Sequence, residues 1–165
     1  MSDIDIGPAS IKRATSRGGG NTDINYTNPA NLSGNIKLIT VYSYNSTEAI
    51  EGLKVGIFYL VSDAVFHCRS AASLGTAAGH ANVTFNVSLP VQQGDYLGYY
   101  FNANTGQIEL DNAAGVGLYY KSGDYVTVDS QATYTFVDKY TTSCHGAGDD
   151  LTAGSLIAIT PYMMF

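Results

Sequence analysis

The chain has no tryptophan, only two cysteines and four prolines, and very little charge. Charged residues are 13% of its 165 positions, about half the usual share for a soluble domain. Each shortage excludes something. Two cysteines, Cys68 and Cys144, are too few for a disulfide scaffold. With so few Lys and Glu, solubility rests on Ser, Thr, Asn, Gln and Gly, which suits strands and turns better than a helical enzyme. Three of the eight basic residues (Lys12, Arg13 and Arg17) lie in the first seventeen positions, and the net charge is −6. No basic stripe exists to neutralise phosphates, so nucleic acid and anionic membranes are disfavoured as partners. No apolar run approaches the ~20 residues of a membrane span. The first residues carry acids where a secretory signal would carry Lys or Arg, so no signal peptide is read there.

What is present is dense strand signal. Val83, Phe85, Val87 and Leu89 alternate with Thr84, Asn86 and Ser88, which reads as a half-buried strand. Residues 35–44 carry apolar groups on both faces, as a central strand does. Residues 53–61, 65–69, 96–101, 107–110, 116–120, 125–128, 133–137 and 155–160 complete the expected strands. Gly and Asn clusters separate them, at 79, 94–95, 104–106, 115, 122–124, 146–150 and 154. Only residues 71–78 and 47–52 could hold a helical turn. Short strands at this spacing predict an all-β domain: a two-sheet antiparallel β-sandwich of jelly-roll type spanning 31–165. Residues 1–30, with the polar stretch around Gly18, Gly19 and Gly20, read as an N-terminal arm or edge strand. The tetrapeptides starting at Gly94 and Gly123 both place Gly, Asp and Tyr at the opening of a strand, which is turn chemistry.

Candidate chemistry is sparse. Glu109 and Asp111 fall on one face of a strand about 7 Å apart, a workable separation for two carboxylates acting on a sugar. The segment is similar to the Glu-x-Asp-x-x-Glu motif of jelly-roll β-glucanases, but Ala114 stands where the acid/base glutamate belongs. Without that acid no group protonates the leaving oxygen, and no tryptophan supplies a stacking platform, so the two are read as solvated acids at a strand end. His67 with Cys68 and Cys144 with His145 invite a zinc site, yet neighbours on a strand point to opposite faces. A disulfide or idle thiols remain as alternatives. His80 sits in a loop with no evident partner. Asp3 with Asp5, and Asp149 with Asp150, could lend oxygens to Ca²⁺, but neither pair lies in an EF-hand loop. No nucleophile elbow or phosphate loop occurs. The five Asn-x-Ser/Thr sites follow from composition. The expectation is a non-enzyme with no cofactor and no metal.

Thirteen tyrosines are the most unusual feature. Tyr96, Tyr99, Tyr100, Tyr119, Tyr120 and Tyr125 cluster within thirty residues, and adjacent pairs put one ring on each face of a strand. Tyrosine is an amphipathic anchor enriched at interfaces and in sugar sites, so these six, with Tyr162 and Phe165 at the apolar C-terminus, are the interface or ligand candidates. An apolar final strand needs cover from its own core or from another subunit.

Residues 6–14, 28–36, 94–100 and 118–125 carry a resemblance along most of the chain. It resembles uncharacterised β-rich structural-type proteins encoded in phage genomes and environmental sequences. The resemblance implies a virion-associated protein, made in a host cytoplasm, that acts at the particle surface or in host contact. The leading expectation is therefore a non-catalytic virion structural protein, such as a capsid decoration or a tail or fibre element, that binds itself and other virion proteins. The alternative is a carbohydrate-binding, lectin-like module that stacks tyrosine rings on glycans.

Overall fold

A computed structural model describes residues 3–113 and 116–150, and among these every regular element is a strand. In chain order they are β1 (Asp3–Ile6), β2 (Thr15–Arg17), β3 (Asn21–Asn25), β4 (Gly34–Tyr42), β5 (Ile50–Ser62), β6 (Val65–Ala77) and β7 (Asn82–Val91). They continue as β8 (Tyr96–Tyr100), β9 (Ile108–Asp111), β10 (Leu118–Ser122), β11 (Gln131–Thr133), β12 (Thr135–Val137), β13 (Thr141–Thr142) and β14 (Cys144–Asp150). They form three antiparallel sheets where two were expected: β1-β14-β4-β7, β11-β6-β5-β8-β3-β10-β12, and the small β13-β9-β2.

The seven-stranded sheet nearly closes on itself. β11 and β12 are one segment interrupted at Tyr134; β11 pairs with β6 at one edge and β12 with β10 at the other. This strap brings the sheet close to a small closed barrel, covering its edges at residues 65–67 of β6 and 118–120 of β10. Side-chain alternation gives the barrel wall two apolar faces. Inside, Ile24, Phe58, Phe66, Cys68, Val126 and Tyr134 form a core. Outside, Leu53, Val55, Ile57, Leu97 and Tyr99 meet Ile4, Ile6, Ile36, Ile39, Val41, Leu89 and Cys144 from the four-stranded sheet. The molecule is thus a barrel and a sandwich that share one wall.

Glycine makes the barrel floor. Gly56 and Gly98 stand opposite each other on β5 and β8, and the Phe58 ring lies across both. A Cβ on Gly98 would sit 2.7 Å from the Phe58 ring, and one on Gly56 would sit 2.9 Å from it. Two absent side chains make the room for one aromatic.

Several sequence expectations are corrected. Of the first thirty residues, read as an arm or edge strand, β1 is the edge of the four-stranded sheet, while β3 lies within the barrel wall between β8 and β10. Ile4, Ile6 and Ile24 are almost wholly buried, which supplies the burial energy an isolated arm would lack. Residues 146–150 read as a turn, yet they belong to β14, an interior strand. Their glycines serve close packing, because a Cβ on Gly146 would meet Ile6 at 2.7 Å. Residues 71–77, within the stretch read as a possible helical turn, continue β6 as strand.

The cysteines are free and lie in different cores, Cys68 in the barrel and Cys144 in the sandwich. The disulfide and shared-metal alternatives therefore fall away for this pair. Burial pushes both thiols up to about 12, far above neutral pH. Since the thiolate is the reactive form, neither cysteine should react with an aromatic disulfide reagent in the native protein. Both should react on unfolding, and rapid native labelling would contradict this burial.

Candidate functional site

The tyrosines divide by face. Tyr99 is fully buried between the sheets and donates from its hydroxyl to Asp23 at 3.1 Å, so it is no interface residue. Tyr96, Tyr100, Tyr119 and Tyr125 turn into the barrel, where they pack half-buried around its core with Tyr26. Tyr26 stacks on Tyr96 at 4.9 Å and meets Tyr119 edge-on at 5.3 Å. Burial pushes the Tyr96 phenol up to about 12 and raises Tyr119, so both stay protonated at neutral pH. The expected aromatic skin is thus largely an aromatic filling, and the cause is the strap. Residues 124–137 cover a sheet face that strand periodicity alone leaves open. Tyr162 and Phe165 lie outside the described residues.

Tyr120 points the other way. The Arg17 guanidinium sits 5.6 Å from its ring centre and 5.7 Å from that of Tyr140. Arg17 also grips Asp23 through two hydrogen bonds of 2.5 and 2.7 Å. Burial opposes the Arg17 charge, but the hydrogen bond and charge of Asp23 outweigh it, so its pKa is raised. Burial raises the Asp23 carboxyl, against the pull of Arg17 and Tyr99. This constellation ties β3 and β8 to the chain entering β3.

Glu109 and Asp111 do not form an open catalytic pair. Glu109 is wholly buried and accepts the Arg13 backbone N–H at 2.7 Å. Asp111 accepts from the Arg13 side chain at 2.9 Å and from the Ala14 N–H at 3.1 Å. Both carboxylates clasp the segment that leads into β2. Burial works against the Asp111 charge, but the Ala14 N–H and Arg13 hold its pKa below the usual carboxylate value. A depressed folded pKa stabilises the clasp above the unfolded value near 4 and loses that contribution as pH falls. Protection of the Ala14 amide from exchange should therefore fall below about pH 4, before global unfolding. Unchanged protection there would contradict the clasp.

Beside this clasp is a cleft of about 440 Å³ whose polar lining includes Asp5, Arg13, Asn28, Asp111, Thr141 and His145. His145 pairs with Asp5, and Asn28 donates to Asp5 and to the Gly7 carbonyl. Asp5 and His145 are 140 residues apart, and no local motif announces their meeting. Elsewhere His67 packs at a tilt against Tyr59, ring centres 4.9 Å apart, on the outer face of the wall that buries Cys68. His80 reaches the Tyr44 carbonyl and lies 3.9 Å from Glu109 Oε1. Asp3 stands opposite Asp149, whose carboxylate pairs with Lys37. Among the described residues no group of three or more His, Cys, Asp and Glu is placed to hold a metal.

The exposed apolar side chains are unevenly spread. Of seven large ones among the described residues, Leu60, Val61, Val116, Val128 and Phe136 belong to the barrel or its strap, leaving Ile11 and Leu38 elsewhere. No helix among the described residues is long and apolar enough to cross a membrane.

No protein-family model matches this chain, and no curated protein matches it.

Proposed function

We propose that this is a non-catalytic structural protein that works through contacts with copies of itself and with other components of a virion. The observation that carries the reading is five exposed large hydrophobics on the barrel and its strap, in a chain with few charged residues. Apolar side chains gathered on one lobe suit a protein contact. A jelly-roll reading of the sandwich supports the proposal. In that reading β1-β14-β4-β7 and the β3-β8-β5-β6 part of the seven-stranded sheet are the two four-stranded halves, an architecture shared by capsid and lectin domains. In that reading the barrel is an elaboration of the long connection between β8 and β14. The test is sedimentation velocity on the native chain and on a Val61→Ser/Val128→Ser variant. A native oligomer that the variant dissociates supports the proposal, and a variant that sediments like the parent removes these side chains from it.

The alternative, a glycan-binding module, is favoured by the polar cleft, whose Asp, Asn, Thr and His groups suit a neutral hydroxyl-rich ligand. It requires glycan binding that His145→Ala weakens. A glycan array on which the native chain binds nothing would end it.

A further inference from the structure

Glu109 is a buried acid that is only half satisfied. Its side chain is 0% exposed, and its Oε2 accepts the Arg13 N–H, but among the described residues Oε1 accepts no hydrogen bond. A buried carboxylate left uncompensated is costly, and a partner of opposite charge or a proton relieves it. His80, in the turn between β6 and β7, can supply either, because its Nδ1 lies 3.9 Å from Oε1. The His80 side chain is 36% exposed, so its ring exchanges protons with water where the carboxylate does not.

The charged groups around the pair are committed elsewhere. Arg13 gives its guanidinium to Asp111, the Ser143 hydroxyl and the Ala9 carbonyl, and Arg17 gives its own to Asp23. β2 sets the uncharged Ser16 opposite Glu109. Tyr42 and Tyr44 meet the His80 ring edge-on at 5.6 and 6.0 Å. The His80 Nδ1 donates to the Tyr44 carbonyl, which holds the ring beside the carboxylate and leaves Nε2 to take up a second proton.

Residues 10–13 are tied down around this pair. The Ser10 hydroxyl donates to Asn82 at 2.6 Å, the Ile11 N–H donates to the Ser143 hydroxyl at 3.3 Å, and the Arg13 N–H donates to Glu109. Pro8, Ala9 and Arg13 of the same segment also line the 440 Å³ cleft.

We propose that Glu109 and His80 hold one proton between them, and that this proton latches residues 8–14 against β9. With the proton on His80, the imidazolium balances the carboxylate and the Arg13 bond is kept. Without it the carboxylate is buried uncompensated, and residues 10–13 lift to let water reach it. The pairing favours the charged ring, so the latch is present on the acid side of the histidine range, about pH 5–8, and is lost as pH rises through it. One wall of the cleft loosens in the same step. The latch is separate from the assembly reading, since neither residue belongs to the barrel or its strap.

The test follows protection of the Arg13 amide from hydrogen exchange in the full chain, from about pH 5 to about pH 9. Protection is expected to fall about tenfold or more as pH rises, in the same step in which the His80 ring resonance reports its loss of charge. Glu109→Gln leaves no charge to balance and should keep protection level across the range. His80→Asn should show the loss already at the acid end. Native protection that does not change with pH overturns the latch, as does a loss at a pH where His80 keeps its charge. A Glu109→Gln variant that still loses protection with rising pH overturns the part given to the carboxylate. The comparison of amide with ring is made on the native chain, so it decides the matter even where a substitution prevents folding.

Discussion

Arg17→Met should destabilise the protein by about 3–5 kcal/mol, because it leaves a buried carboxylate without its partner. Asp23 is 1% exposed and takes two charged hydrogen bonds from Arg17. Removing the guanidinium strands that charge in the wall between barrel and sandwich, with one hydrogen bond from Tyr99 left to it. A urea unfolding curve reads the loss as a lower midpoint at unchanged slope. Arg17→Met/Asp23→Leu should recover much of it, since an apolar pair in place of a buried ion pair is often neutral. If Arg17→Met unfolds at the parent's midpoint, the pair is not the tie described.

Phe58→Ala should cost about 3–5 kcal/mol, the usual range for a buried aromatic truncated in a core. Its ring is fully buried and spans Gly56 and Gly98. Gly98→Ala should cost about 1–3 kcal/mol in the parent, because its Cβ collides with that ring. In the Phe58→Ala background the two nearest atoms, both of that ring, are gone, and the Asp23 carbonyl at 3.0 Å remains. The second substitution should then cost clearly less, a coupling that a double-mutant cycle measures. Additive losses would mean that ring and glycines do not form one packing unit.

Much of the fold was legible from side-chain period. β7 shows the expected alternation, with Thr84, Asn86 and Ser88 exposed and Val83, Phe85 and Val87 partly buried. Residues 35–44 read as a central strand, and β4 does lie between β14 and β7. Their apolar residues on both faces have a specific cause. A bulge at Lys37 shifts the phase, so Ile36, Ile39 and Val41 all point inward while Leu38 points out. Periodicity has no term for a bulge.

The remainder depends on contacts far apart in the chain. Gly146 and Gly148 look like turn residues because the same lack of a Cβ serves tight turns and close strand packing. Only the neighbouring Ile6, Ile36 and Ile39 tell the two uses apart. The inward tyrosines were misplaced for a related reason. Alternation correctly divides Tyr99 from Tyr100, but it cannot say that the second face is also covered. The strap at 124–137 decides that, through pairing with β6 and β10. The cleft around Asp5 and His145 has no local signature, since its charged groups come from β1, β9, β14 and the segment before β2.

Static light scattering on the purified full chain, over a wide concentration range at moderate salt, bears most directly on the proposal that this protein acts by touching its own kind. A discrete multiple of the chain mass, or growth toward filaments as concentration rises, is the expected result. A single-chain mass at every concentration would contradict it.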